Sequence, residues 1–259
     1  MKITRSFLEQ KLELDCCMSN KILVVGASSD IGLELMKSGK AGDLFLAHFN
    51  ENKKMIEIAA QDSDSVIVPL KCDLSNEENL HELIEHICDD YGFPNKIVHL
   101  ASSRVENIRF KDLDWKKFND ELDISLRSLV LISKKFLPLM AKEKKGKLVV
   151  MLSSYTLGVP PKYLAHYNTC KYAMLGLSKS LAAEFADKNL QINCVSPSMV
   201  ETKFLSQLNP KIPEINAQKH PLKRNATVED IVPTIKFLLS SKSNFINGVN
   251  IPLSGGEIF

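Results

Sequence analysis

The amino-acid sequence predicts an α/β fold, a doubly wound parallel sheet with helices on both faces. Three observations predict it. Strand-like and helix-like segments alternate from about residue 20 to the C-terminus. The strand segments are short, continuous apolar runs, which suits strands covered on both faces. The first of them runs directly into a glycine-containing turn and a helix, where open α/β sheets place their ligand crevice. Such alternation gives parallel neighbours joined by right-handed crossovers.

The elements follow in order. Lys21 to Val25 is a β-branched run ending at Gly26, and Ile31 to Ser38 reads as the first helix. Asp43 to Phe49 is a second strand and Lys53 to Ala60 a helix; Val66 to Leu70 is a third strand, closed by Cys72-Asp73-Leu74. Ser75, with Glu78 three residues on, has the form of a capping box for a helix through Ile87. Lys96 to Leu100 is a fourth strand, and Trp115 to Met140 a long helical region with Pro138 near its end. Lys147 to Leu152, Gln191 to Val195 and Gly248 to Pro252 complete the strands, with helices at Tyr167 to Phe185 and Val228 to Leu239. The stretch Glu201 to Arg224 breaks the pattern. It carries Pro210, Pro213 and Pro221 and follows a strand end, so it reads either as a lid or as an irregular surface loop.

The chain has 259 residues, 44% hydrophobic and 25% charged, an ordinary globular composition. With neither repeat nor linker, residues 20–259 read as one domain behind an N-terminal extension, 1–19. That extension has no signal-peptide pattern. Its apolar positions Ile3, Phe7, Leu8, Leu12 and Leu14 form either an amphipathic helix or a tail ahead of a natural start at Met18. Lysine and arginine number 33 against 31 acidic residues, so weak a bias that it gives no case for nucleic acid or membrane as a partner. No apolar run approaches the roughly 20 residues of a membrane span. The six cysteines, Cys16, Cys17, Cys72, Cys88, Cys170 and Cys194, show no C-x-x-C spacing. They read as reduced thiols in a cytoplasmic protein, with no metal site.

The turn Gly26-Ala-Ser-Ser-Asp-Ile-Gly32 carries the first chemical signal. Gly26 permits a sharp turn and Gly32 a close approach of the helix. The helix N-terminus then offers free N–H groups to a pyrophosphate. Small side chains at Ala27, Ser28 and Ser29 keep the approach open. Asp30 stands where a third glycine is usual, and its carboxylate is expected to turn away and cap the helix.

Tyr167 and Lys171 carry the second. At i and i+4 they share a helix face, and an ammonium beside a phenol favours the phenolate. That spacing alone describes many surface pairs. Ser154, at the end of the fifth strand, adds a hydroxyl able to meet a substrate oxygen.

Taken together, Gly26 to Gly32, Cys72-Asp73-Leu74, Ser153-Ser154, Tyr167-Asn-Thr-Cys-Lys171 and Asn193-Cys-Val-Ser-Pro197 with Glu201-Thr202 resemble the short-chain dehydrogenase/reductase family, of the classical type, over about Asn20 to Gly256. The nearest resemblance is to 3-oxoacyl-[acyl carrier protein] reductases. It implies a single Rossmann-like domain and NAD(P)-dependent interconversion of a carbonyl and a secondary alcohol. Tyr167 would be the proton donor or acceptor. Lys171 would bind the nicotinamide ribose and lower the Tyr167 pKa, and Ser154 would hold the substrate oxygen. The turn residues Gly26, Ser28, Ser29, Asp30, Ile31 and Gly32 would cradle the pyrophosphate. Asn50 and Lys53 would reach the adenosine ribose, Asp73 and Leu74 the adenine. Ala101, Ser102, Pro197, Ser198, Val200 and Thr202 would line the dinucleotide towards its nicotinamide. A homotetramer or homodimer is implied, formed through the helices near Trp115 to Met140 and Tyr167 to Phe185 and the C-terminal strand.

Several positions depart from the family pattern. Ser125 stands where an asparagine usually holds a relay water. His99-Leu-Ala-Ser102 replaces Asn-Asn-Ala-Gly, with His99 expected to be structural. Ser198 and Ser254 replace a glycine and an acid. These departures leave a second reading open, a dinucleotide-binding regulatory or scaffold protein with impaired catalysis. A dehydratase or epimerase of the extended branch is the weakest, because the chain ends before a sizeable substrate domain.

No acid stands at His48 to Asn50, and Lys53 and Lys54 follow. NADP(H) is therefore expected over NAD(H). The substrate is a small-molecule or acyl-thioester carbonyl. For an acidic carrier protein, Lys134, Lys135, Lys142, Lys144 and Lys145 form a candidate docking patch.

Overall fold

The structure is a computed structural model that describes residues 19–203, 205 and 211–258. The N-terminal extension up to residue 18, with its candidate helix and Cys16 and Cys17, lies outside the described residues, as does part of the 201–224 stretch.

The elements are β1 (Asn20–Val25), α1 (Asp30–Lys37), β2 (Asp43–Phe49), α2 (Lys53–Gln61), β3 (Val66–Lys71), α3 (Glu77–Tyr91), β4 (Lys96–His99) and α4 (Trp115–Glu121). A π-helical segment, Leu122–Arg127, joins α4 to α5 (Ser128–Lys142). Then come β5 (Gly146–Met151), α6 (Ala165–Glu184), β6 (Leu190–Pro197), α7 (Lys211–Lys219), α8 (Val228–Leu239) and β7 (Asn250–Leu253). Seven strands lie in the order β3-β2-β1-β4-β5-β6-β7, all neighbours parallel. The direction of winding reverses between β1 and β4, which opens a crevice at their carboxyl ends.

Alternate side chains of each strand feed two cores. Leu23 and Val25 of β1, Leu44 and Leu46 of β2 and Leu148 and Val150 of β5 meet Leu80, Ile132, Phe136 and Met174 from α3, α5 and α6. Ile22, Val24, Phe45, Ala47 and Val149 point the other way, onto Leu33, Met36, Ile56, Ile231 and Ile235 from α1, α2 and α8. Each fully buried Leu, Ile or Phe contributes about 1.5–3 kcal/mol, so both faces must stay covered. This is the doubly wound, two-faced sheet that the apolar runs predict.

Three local expectations are corrected. The N-cap of α3 is Asn76, which accepts from the Asn79 N–H at 3.1 Å. Ser75 is unavailable because its N–H and hydroxyl both donate to Asp73 Oδ1, at 2.9 and 2.7 Å. The 201–224 stretch contains a helix, α7. Pro213 sits in its first turn, where a missing N–H breaks no intrahelical bond. Three of the five candidate carrier-docking lysines lie away from the crevice. Lys142, Lys144 and Lys145 lie at the end of α5 and in the turn into β5, at the amino edge of the sheet. Lys145 there lines a polar cavity with Lys96 and Lys147, while Lys135 is ion-paired to Glu85 at 2.8 Å.

Candidate active site

The carboxyl ends of β1, β4, β5 and β6 converge on one crevice. Gly26 leaves β1 with φ +85°, a conformation that disfavours any side chain, and a Cβ there would lie 3.0 Å from Ala101 N. Gly32 brings α1 against the strand end: a Cβ at this position would stand 2.6 Å from the Ala27 carbonyl oxygen and 2.8 Å from its Cα. Both glycines are thus required by backbone-to-backbone contact. Gly32→Val is expected to cost about 1–3 kcal/mol of stability and to weaken dinucleotide binding, because the helix N-terminus must move. Urea unfolding and a cofactor titration check this; unchanged affinity would separate the turn from the ligand.

Ser29, not Asp30, caps α1: its hydroxyl accepts from Gly32 N at 3.2 Å. In the first turn this leaves the N–H groups of Asp30 and Ile31 without an intrahelical acceptor. The Asp30 carboxylate does turn aside, but to accept from the Lys203 N–H at 2.6 Å. It ties the segment after β6 to the glycine turn instead of capping the helix. Ser28 is half-buried in the same turn.

At the end of β2, where the adenosine is expected, Asn50 is exposed and Lys53 is ion-paired to Glu57 at 3.1 Å on the exposed face of α2. The Asp73 carboxylate faces Ser75, and Leu74 is buried in the core. His48, which sequence reasoning considered only as a non-acid, is a buried strap. Its Nδ1 accepts from Gly26 N at 3.0 Å and its Nε2 donates to the Cys72 carbonyl at 3.1 Å. One neutral imidazole thus fixes the ends of β1, β2 and β3 together. Burial pushes its pKa down from 6.5 to about 4, against smaller opposing effects of the Cys72 bond and Asp73.

At the end of β6, where the nicotinamide is expected, Pro197 ends the strand and the Ser198 N–H donates to the Leu253 carbonyl at 3.1 Å. The Ser198 hydroxyl is buried with no partner among the described residues. Val200 bridges to Ala226, and the Thr202 hydroxyl donates to the Val200 carbonyl at 3.3 Å. Ala101 is buried beneath Gly26.

Helix α6 carries Tyr167 and Lys171, both buried. The Lys171 ammonium donates to the Met151 carbonyl at the end of β5, 3.1 Å away, and lies 5.5 Å from the Tyr167 ring centroid. Burial pushes Tyr167 up from its ordinary 10, the Glu121 charge pushes further, and the Ser153 hydroxyl pulls partly back. Burial lowers the Lys171 pKa, and Glu121, Cys170 and Cys194 oppose that. Ser153 and Ser154 close β5 in one buried turn, and the Ser153 hydroxyl is what opposes the upward push on the phenol.

Ser125 does not stand alone at the relay position. Its hydroxyl donates to Glu121 Oε1 at 2.7 Å, and Ser102 donates to the same oxygen at 3.3 Å. Ser103 donates to Glu121 Oε2. Glu121 is fully buried; in sequence it resembles any surface glutamate of a polar helix. His99 is also fully buried, paired through Nε2 with the Ser128 hydroxyl at 2.8 Å, which is a structural placement. Burial, with Lys171 and His48 nearby, pushes its pKa down to about 3. The Cys170 thiol, pushed up to about 12 mainly by burial, stays protonated and unreactive.

A protein-family model described as enoyl-(acyl carrier protein) reductase matches residues 28–257. The chain belongs to the classical short-chain dehydrogenase/reductase family. It is 27% identical over 247 residues to the 3-oxoacyl-[acyl-carrier-protein] reductase FabG of Staphylococcus aureus, covering 92% of this chain and 98% of that one. It is 26% identical over 245 residues to dehydrogenase/reductase SDR family member 4 of Oryctolagus cuniculus, covering 92% and 94%. Among solved structures, ElxO with NADP bound superimposes with a TM-score of 0.80 at 25% identity, over 92% of this chain and 98% of that one. The 3-oxoacyl-[acyl-carrier protein] reductase of Brucella melitensis gives 0.82 at 19% identity, over 99% and 97%, and shows the shared fold. This short-chain dehydrogenase/reductase is accordingly a nicotinamide-dinucleotide oxidoreductase acting on carbonyl or hydroxyl groups. Among its described residues no helix is long and apolar enough to cross a membrane.

Proposed function

We propose that this short-chain dehydrogenase/reductase reduces the carbonyl of a 3-oxoacyl thioester or a similar small ketone, with Tyr167 as the proton donor. The observation that carries this reading is the buried Tyr167–Lys171 pair beside Ser153 and Ser154 at the mouth of the crevice. The site's residues fit a dinucleotide. First-turn N–H groups of α1 are open to an anion, and the buried Ser198 hydroxyl lacks a partner where the nicotinamide end belongs. When bound, the nicotinamide supplies or accepts the hydride.

The chain's own groups do the rest. Tyr167, held protonated by its buried setting, offers its proton to the oxygen that gains charge as the carbonyl is reduced. Ser154 holds that oxygen, and Ser153 stabilises the phenolate left behind. Lys171, fixed by the Met151 carbonyl, presents its cation to the nicotinamide ribose. Gly26, Ser28, Ser29, Ile31 and Gly32 bind the pyrophosphate, Asp73 and Leu74 the adenine, and Ala101, Pro197, Val200 and Thr202 the path between.

NADP(H) is favoured over NAD(H), because no carboxylate stands at His48 to Asn50 to repel a 2′-phosphate. The ion pair of Lys53 with Glu57 limits that lysine's contribution, so the preference rests on missing repulsion more than on a dedicated cation. The protein acts in the cytoplasm as a homotetramer or homodimer. Fluorescence titration is expected to show tighter binding of NADPH than NADH. Cofactor oxidation should then follow 3-oxoacyl thioesters in preference to enoyl thioesters, which lack the oxygen that Tyr167 protonates. Preference for NADH refutes the cofactor assignment, and turnover confined to enoyl thioesters refutes the carbonyl reading.

A further inference from the structure

We propose that the cavity at the amino edge of the sheet, between Lys96, Lys145 and Lys147, is a second ligand site that takes a small phosphorylated molecule. It lies apart from the crevice and does not depend on which carbonyl the crevice reduces.

The register of the sheet builds the site. Lys96 opens β4, Lys147 is the second residue of β5, and the two are paired directly across the parallel ladder. Side chains alternate along a strand, so both lysines share the face of Val98 and Val149, which α1, α2 and α8 cover. Beyond the end of α8 this face opens into a cavity of about 320 Å³, lined by the three lysines, Leu239 and the following turn. That volume is at the lower end of those that hold small molecules. Along β5, Lys147 is separated from Met151, whose carbonyl holds Lys171, by about 13 Å of strand.

The charge in the cavity is unbalanced. Like charges directly opposite on neighbouring strands repel, and burying an ammonium is costly without a partner. Yet Lys147 is only 8% exposed. Its acceptor is the neutral Ser243 hydroxyl at 3.1 Å, which donates in turn to the Leu238 carbonyl at 2.8 Å. Lys96 is half-buried and has no acceptor among the described residues, and exposed Lys145 adds a third ammonium. No carboxylate lines the cavity among the described residues. Asp43, whose charge acts on Lys96, is engaged by the Asn20 amide at 2.5 Å and the Lys40 N–H at 3.2 Å. The end of α8 contributes only about half a negative charge. Burial lowers the pKa of Lys96, against Asp43, and that of Lys147, and a neighbouring lysine adds to the effect on each. An anion seated between the ammonium groups removes this penalty.

The donors select the anion. Lysines are point charges suited to phosphate, whereas planar carboxylates favour the fork of an arginine, and no arginine lines the cavity. Asn95 and Asn244 add uncharged donors for the rest of a phosphate ester. The Asn95 side chain uses its oxygen, for the Lys21 N–H at 3.2 Å, and the Asn244 side chain has no partner among the described residues.

Isothermal titration calorimetry tests the site with inorganic pyrophosphate as the probe. The protein is first saturated with NADPH or NADH, whichever binds more tightly, so that the crevice is filled. One saturable binding event at millimolar or tighter affinity is expected. Lys147→Met and Lys96→Met are each expected to weaken it about tenfold or more, since each removes a charged hydrogen-bond donor. Lys142→Ala, at the end of α5 and outside the cavity, is expected to leave it unchanged. If Lys147→Met does not fold, Lys96→Met decides. Absence of saturable heat in the parent overturns the proposal, as does binding that survives the lysine substitutions. Loss of dinucleotide affinity in step with pyrophosphate affinity places the probe in the crevice and also overturns it. Tighter binding of citrate than of pyrophosphate overturns the assignment to phosphate.

Discussion

Tyr167→Phe is expected to lower turnover by about 10²–10⁴-fold while leaving dinucleotide affinity close to that of the parent. The phenol is buried, and phenylalanine fills nearly the same volume, so α6 keeps its packing. Lys171 is held by the Met151 carbonyl rather than by the phenol oxygen, so its ammonium stays in place for the ribose. What is lost is the one proton at this position that is available to a carbonyl oxygen. Stability should change by no more than about 1 kcal/mol, because the hydroxyl removed makes a modest net contribution. Steady-state cofactor oxidation and fluorescence titration read the two effects separately. Retained turnover would remove Tyr167 from the mechanism, and lost cofactor binding would show that its hydroxyl organises the crevice instead of serving the chemistry.

The sheet was legible because its signal is local. Asp43–Phe49 and Val228–Leu239 are found where the apolar pattern places them, and the glycine turn lies at the β1–α1 junction as its spacing requires. Helix α7 was hidden because prolines read as breaks, whereas Pro213 occupies a first turn. The carrier-docking lysines were misplaced for a different reason. Charge runs carry no information about which end of a parallel sheet they occupy, and β5 begins just after Lys145.

The polar interior was the least legible part. Nothing local distinguishes Glu121 from Glu78 or Glu85. Its burial depends on Ser102 and Ser103, donors from a distant segment. His48 likewise gained its role only when β1 and β3 closed on either side of it. For Tyr167 and Lys171, the i,i+4 spacing gives the shared helix face but no measure of how deeply both side chains are buried. Ser125 shows both sides: its position in the motif was readable, and its partner was not.

Burial of His48 and His99 predicts that the fold is acid-labile well above the carboxylate range. Both imidazoles are neutral in the folded protein, with pKa values pushed from 6.5 to about 4 and about 3. A folded-state value below the unfolded one means that the stability is fully present above pH 6.5. It is lost as pH falls towards the folded-state values, because the unfolded chain takes up protons that the folded one refuses. Any folded-state value below 5 for both groups gives a loss on the order of 4 kcal/mol between pH 7 and pH 5, a large share of a domain's stability. The structural cause is specific. Protonation turns His48 Nδ1 from an acceptor into a donor facing the Gly26 N–H, which breaks the strap beneath the glycine turn. Because the folded protein keeps His48 neutral down to about pH 4, dinucleotide affinity should hold through the first fall in stability and be lost only as pH approaches that value. Urea unfolding midpoints from pH 8 to pH 5, with a cofactor titration at each pH, measure both. A profile flat down to pH 5 would mean that these histidines are accessible to protons in the folded state.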